Sequence, residues 1–272
     1  MTMRSLRIAD IQTTEILYYD PQHADTCAEF CRRREIDCLP SLDDSAIVHE
    51  FADANRCFTR VRVKRDRFVD PSESIFSSRV LRKFWKYKLL FVCHDSEIVG
   101  VVHYSDYAKA AVSVYLFEVL FDYEKSLRNL LARRCFTNES MLEYFQEELK
   151  GASGKDKQGW QRKINTYINR KDQEQYEKRL PFQSFNLNDL LGLANRRGIV
   201  LDTDKVYPLR NLIMHVHELV DKKDHTADDL IYDFESFEKF CDRATQLMLD
   251  FKRVRNLWLL SEGECRDLPT LV

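Results

Sequence analysis

The feature that most limits what this chain can fold into is an internal repeat in its first half. Tyr18-Tyr19-Asp20-Pro21 recurs as Phe68-Val69-Asp70-Pro71, and Asp44-Ser45-Ala46-Ile47-Val48 recurs as Asp95-Ser96-Glu97-Ile98-Val99, a period of about 50 residues. Two copies are too few for a solenoid, which needs three or more. Each copy has the same order: a loop with Asp-Pro, a helical stretch (24–34 and 74–86), a short apolar strand, a turn and a second strand. In the second copy the strands are 89–93 and 98–102, joined by His94-Asp95-Ser96-Glu97 as a hairpin. Short strands alternating with single helices predict a small α/β sandwich of two related lobes.

The run from Phe91 to Tyr107 passes from this hairpin through Gly100, two apolar residues, His103, two spacers and Asp106 into a helix. It resembles the end of a CBS domain, named for cystathionine β-synthase, in which Gly, two apolar residues, Thr or Ser, two spacers and Asp follow a strand hairpin. The resemblance covers roughly residues 6 to 108 and implies that adenine nucleotides or related ligands bind in a cleft between the copies. Asp106 would then accept from ribose hydroxyls, and His103 stands where Thr or Ser is usual. Read from the residues alone, Asp106 is equally an N-terminal cap and His103 a packed histidine at the end of an apolar strand. The first copy departs further, with His49 in place of the Gly and Asn55 near the position of Asp106. At most one of the two clefts is therefore expected to be intact.

From Lys109 the pattern changes to long helical periodicity. Leu116, Val119, Leu120, Tyr123, Leu127, Leu130 and Leu131 follow the i, i+3, i+4, i+7 spacing of an amphipathic helix that leads straight out of the repeat. Glu124 and Arg128 lie four apart on its more polar side, the spacing of an ordinary surface ion pair. Asn138 and Ser140 offer a fresh helix start, and 151–159, with three glycines, reads as a mobile loop. A charged helix is expected over 161–180 and ends at Pro181, and Asn186 caps a helix over 187–197 that Gly198 stops. Further helices are expected over 205–220 and from about 228 to 260. Four or five helices predict an up-down bundle.

Within the segment from Tyr207 to Val220, Leu209, Leu212, Ile213, Val216, Leu219 and Val220 fall on one arc of a helix, and Arg210, Asn211, Met214, His215 and Glu218 on the other. The core face is complete without the Arg or the His, and His217 reads as structural. Pro208 suits a helix's first turn, which would place Arg210 and Asn211 near free backbone donors, a place to hold a phosphate. The string Arg210-Asn211-x-x-x-His215 on such a helix resembles the Arg, polar residue, His motif of the HEPN family, α-helical bundles many of whose members are metal-independent endoribonucleases. The resemblance implies that Arg210, Asn211 and His215 are catalytic, and it makes Glu124 and Arg128 secondary candidates. It also implies a homodimer in which two motifs share one cleft. On an ideal helix Arg210 and His215 point about 140° apart, so one copy of the motif is incomplete by itself.

Composition narrows the alternatives. Seven Gly and six Pro, with no Gly-rich phosphate loop, leave nucleotide-loop enzymes without their motif. A formal net charge of −2 argues against broad charge-driven binding to nucleic acid, so any RNA contact must be local, at clusters such as Arg32-Arg33-Arg34 or Arg196-Arg197. Eight Cys without a CxxC pair, and His at no zinc-ligand spacing to them, predict reduced thiols and no metal. No signal peptide and no apolar run near the roughly 18 residues of a membrane span are visible, so a cytoplasmic location away from membranes is expected.

The fold class expected is thus α+β, with a tandem CBS-like ligand-sensing pair over 1–108 and an all-α HEPN-like bundle over 109–272. The function the two resemblances imply is a ligand-regulated, metal-independent endoribonuclease of the prokaryotic stress or phage-defence kind, a toxin when active, with RNA as substrate and a nucleotide or second messenger as regulator. It needs no cofactor. The alternative is a non-enzymatic nucleotide-sensing and dimerisation module whose HEPN-like part is inactive.

Overall fold

The computed structural model describes residues 5–171, 182–215, 218–222 and 232–261, and the chain is mixed α+β. His217, Val216, Ile231, the helix stop at Pro181 and the first residues of the expected last helix lie outside the described residues. The chain divides into two compact units, residues 1–117 with 211–245, and residues 118–210 with 246–272.

The first unit realises the repeat. A short helix α1 (Ile8–Ile11) precedes α2 (Ala24–Arg34), which spans the stretch expected from its apolar spacing and ends on Glu35 in the left-handed conformation. Strands β1 (Cys38–Pro40), β2 (Ile47–Ala52) and β3 (Cys57–Arg62) form an antiparallel sheet in the order β1-β2-β3. In the second copy β4 (Phe68–Val69) runs parallel to β5 (Leu89–His94), and β5 pairs antiparallel with β6 (Glu97–His103), with α3 (Ser78–Phe84) between β4 and β5. The β5–β6 turn places Asp95 and Ser96 at positive φ, as a two-residue hairpin turn of matching twist requires. A 3-10 turn follows the second strand in each copy, at Asp53–Asn55 and Tyr104–Ala108. Strand β3 is not foreseen by the repeat.

The copies share one core. Cys38 and Val48 of the first cluster with Leu89 and Phe91 of the second. Arg67, 4% exposed, clasps both: its Nε donates to the Leu89 carbonyl at 3.1 Å, its guanidinium pairs with Asp37, and it lies over the Tyr87 and Phe91 rings. Burying a guanidinium is tolerable because charge and donors are both met. The start of α9 (Phe234–Leu260) completes this unit, with Phe237 edge-on to Tyr107 at 5.0 Å and Phe84 at 5.7 Å. The Tyr104 hydroxyl donates to the Tyr232 carbonyl at 2.6 Å.

Helix α4 (Ala110–Arg133) is the predicted amphipathic helix, and all seven of its expected core residues are at most 3% exposed. At roughly 1.5–3 kcal/mol per fully buried large apolar side chain, this face anchors it strongly. In the second unit α5 (Asn138–Gly151) is followed after two residues by α6 (Gly154–Lys171). The expected loop over 151–159 is thus mostly helix, because Ile164 and Tyr167, 5% and 3% exposed, bind α6 into the core despite its glycines. Asn186 caps α7 (Leu187–Arg196) by accepting from the Asp189 N–H, and Gly198 at φ 81° follows. Helix α8 (Thr203–Met214) starts earlier than expected and contains Pro208.

Among the described residues six cysteines are free thiols, Cys31 pushed up to about 12 by burial. Cys135 is disulfide-bonded, a departure from the expectation of uniformly reduced thiols. Among the described residues no helix is long and apolar enough to cross a membrane.

Candidate functional site

The chemistry-bearing part of the first unit is a cleft of about 460 Å³ between the two copies of the repeat. One wall is the N-terminal segment from Thr13 to Leu17 with the end of α2 and β1, including Arg34 and Cys38; the other is Leu89, Val101, His103, Ser105 and Asp106. Thr13 is pinned to β6 by two backbone bonds with Val101, of 2.8 and 2.9 Å. The close approach explains Gly100: a Cβ there would lie 2.8 Å from the Gln12 Oε1 and 3.2 Å from the Thr13 carbonyl oxygen.

His103 ends β6 and caps the 3-10 turn. The Ser105 N–H donates to its Nδ1 at 3.4 Å, and the Ser105 Oγ is 2.8 Å from the same atom. A nitrogen that accepts cannot carry the proton, so the neutral ring is protonated on Nε2. Among the described residues that atom is buried without a hydrogen-bond partner. Burial pushes the imidazole down to about 4, helped by the nearby Lys88 charge, so the ring stays neutral at physiological pH. A buried donor left unmatched costs about 1–3 kcal/mol.

Asp106 accepts from the His103 N–H at 2.7 Å and pairs with Lys109 at 2.8 Å. The Thr13 side chain hydrogen-bonds the same carboxylate, so both oxygens are engaged in holding the turn, the capping role read from the sequence. Burial raises its pKa, against the opposing pull of Lys109. Lys109 in turn donates to the Ile11 carbonyl at 2.5 Å. The sequence places Arg34 only in a basic cluster. In the structure Arg33 bonds Glu29 at 2.8 Å and Arg32 bonds it at 2.5 Å, while Arg34 lines the cleft and supplies its positive charge. At the corresponding place in the first copy, the His49 ring stacks on Tyr19 at 4.1 Å, with Phe58 on the same ring at 4.6 Å.

Arg210, Asn211 and His215 lie together at the other end of α8 from the one expected. The helix begins at Thr203, where Asp202 accepts from the Lys205 N–H at 3.0 Å, so Arg210 and Asn211 fall in its C-terminal half. The free donors of a helix start are not beside them. A cation there suits the negative end of the helix dipole. Arg210 and Asn211 are half-buried; His215 is exposed, in the turn just past the helix, with its N–H donating to the Asn211 carbonyl at 3.1 Å. Arg210 and His215 therefore do not share one uninterrupted helix.

The secondary candidates do something else. Glu124 and Arg128 form the expected ion pair, and Arg128 also donates to the carbonyls of Phe182 and Phe185 at 3.3 and 3.1 Å, tying α4 to the segment before α7. The Arg196-Arg197 cluster pairs with Glu147 and Glu143 on α5. Among the described residues no group of three His, Cys, Asp or Glu is arranged to hold a metal. Comparisons with protein families, curated proteins and solved structures find no match to this chain.

Proposed function

We propose that this protein is a nucleotide-responsive effector: an adenine nucleotide or nucleotide second messenger occupies the cleft of the first unit, and the response is metal-independent RNA cleavage by a homodimer. The observation that carries the reading is the cleft itself, lined by His103 and Asp106 on one side and by Arg34, which brings a cation, on the other. Phosphate oxygens, being anionic, suit the Arg34 guanidinium. Ribose hydroxyls, donors as well as acceptors, suit a carboxylate such as Asp106.

In the cleavage step His215 takes the proton of an RNA 2′-hydroxyl, and the oxygen attacks the adjacent phosphorus. The P–O5′ bond breaks to leave a 2′,3′-cyclic phosphate and a 5′-hydroxyl, protonated by His215 of the second copy. Arg210 grips the phosphate oxygens in a fork as charge develops on them, and Asn211 orients them by a hydrogen bond. The exposure of His215 and the end of helical geometry before it support this reading. Purified protein is incubated with RNA beside Arg210→Ala and His215→Ala, with and without AMP and ATP. Cleavage that falls at least about a hundredfold in both variants supports the assignment, and equal residual activity in all three proteins sinks it.

A second reading has its own support. The motif lies away from the start of α8, and the Arg196-Arg197 cluster is consumed by ion pairs. Both favour a sensing module without catalysis. Nucleotide binding by calorimetry, together with intact RNA at every ligand concentration, selects it.

A further inference from the structure

Helix α4 carries a second face that the core does not use. Opposite its buried stripe, Val114, Phe117 and Phe121 are 59%, 47% and 63% exposed, at the i, i+3, i+7 spacing that puts them on one side of the helix. Two exposed charges, Glu118 and Lys125, flank Phe121 on that side at i−3 and i+4. Neither is held by an ion pair among the described residues. They are two turns apart, about 10 Å along the axis, too far to neutralise each other.

We propose that this face is a self-complementary docking surface for a second copy of the same chain, with the two α4 helices packed antiparallel about a two-fold axis at Phe121. The charge pattern fixes the occupant and its direction. An axis midway between residues 121 and 122 leaves Glu118 and Lys125 equally distant on either side, about 5 Å each. Glu118 then faces Lys125 of the second copy, and Lys125 faces its Glu118, one ion pair on each side of the paired Phe121 rings. A parallel arrangement would set Glu118 against Glu118 and Lys125 against Lys125, which costs stability. A two-fold interface presents the same patch on both copies, and the Glu118, Phe121 and Lys125 part of this patch satisfies itself. Val114 and Phe117 extend the apolar ridge toward the start of the helix, where this axis sets them level with Asn129 and Ser126 of the second copy. The surface shares with the proposed function only the requirement of a second copy.

The test is the mass of the full chain in solution by sedimentation equilibrium at micromolar concentration. Wild type is expected to be dimeric. Phe121→Glu should be monomeric, and Glu118→Lys should weaken association roughly tenfold or more, since like charges then meet. The double exchange Glu118→Lys with Lys125→Glu restores the pattern in mirror order and should return the constant to within a few-fold of wild type. All three positions are exposed, so an unchanged far-UV circular dichroism spectrum and a cooperative unfolding transition verify that the fold of each variant is intact. A monomeric wild type overturns both this surface and the homodimer. A dimer indifferent to Phe121→Glu and Glu118→Lys overturns this surface and leaves the homodimer standing. A weakened Glu118→Lys that the double exchange does not restore overturns the antiparallel pairing. A wild-type dimer that responds as expected but cleaves no RNA upholds the surface while the catalytic reading fails.

Discussion

Ser105 donates its backbone N–H to Nδ1 of His103 and brings its hydroxyl within 2.8 Å of the same nitrogen. The contact fixes the tautomer and leaves Nε2–H a buried donor without a partner among the described residues, on a side chain that lines the cleft. His103→Leu removes the unmatched donor at similar volume. The unliganded protein should therefore lose less than about 1 kcal/mol, because the desolvation cost disappears together with the ring. Stabilisation by added AMP, read as the shift in thermal midpoint, should fall by at least half. A wild-type ligand shift in His103→Leu would mean that the imidazole does not face the ligand.

The same histidine sets a pH dependence. Its pKa lies near 4 in the folded protein against 6.5 for a free imidazole. Between those values the unfolded chain binds more protons, so stability is full above about pH 6.5 and is lost as pH falls toward 4. The displacement corresponds to roughly 3 kcal/mol. Asp106 acts in the opposite sense, since burial raises its pKa and acidification relieves a buried charge. Urea unfolding across this range should show a flatter acid limb in His103→Gln and a steeper one in Asp106→Asn. Parallel curves for all three proteins would rule out both groups as the source.

Gly100 tests whether the cleft wall depends on close approach rather than on a backbone that only glycine adopts. Gly100→Ala should cost about 1–3 kcal/mol, the usual range for overpacking, because the new Cβ meets Gln12 and the Thr13 carbonyl. Gln12→Ala should recover about half of the loss, leaving the carbonyl contact in place. No recovery in the double variant would place the strain wholly on the backbone.

Some of this was legible from residue order alone, and the exceptions have physical causes. The helix over 24–34, the hairpin at 94–97 and the Asn186 cap follow from local signals strong enough to act without tertiary help. The glycines at 154 and 159 favour a loop, yet α6 begins at Gly154, whose φ of 54° suits glycine, and runs through Gly159 because tertiary burial of Ile164 and Tyr167 outweighs the roughly 1 kcal/mol that a glycine costs there. Pro208 reads as a helix start because its missing N–H is harmless there. The structure instead uses Asp202 as the start and tolerates the proline within. Strand β3 escapes notice because its apolar residues, Phe58 and Val61, are three apart and only half-buried, which breaks strict alternation. At the cleft, His103 and Asp106 stand out by motif spacing, whereas Arg34 does not. Only the ion pairs of its two neighbours with Glu29 show which arginine remains for the cleft.

In the second unit, Lys163 of α6 donates to the carboxylate of Asp189 on α7 at 2.5 Å and lies 4.4 Å from the centre of the Trp160 ring. Asp189 is 5% exposed, so its charge depends on that one cation and on the positive end of its own helix. Lys163→Met keeps the aliphatic packing and strands the carboxylate, which should cost about 3–5 kcal/mol. Lys163→Met with Asp189→Asn removes the stranded charge and should recover most of the loss, since a neutral amide in place of the carboxylate is far cheaper to bury. Chemical denaturation of the two variants distinguishes the explanations. If the double variant is no more stable than the single one, the loss comes from Lys163 packing on Trp160 and Phe145 rather than from the buried ion pair.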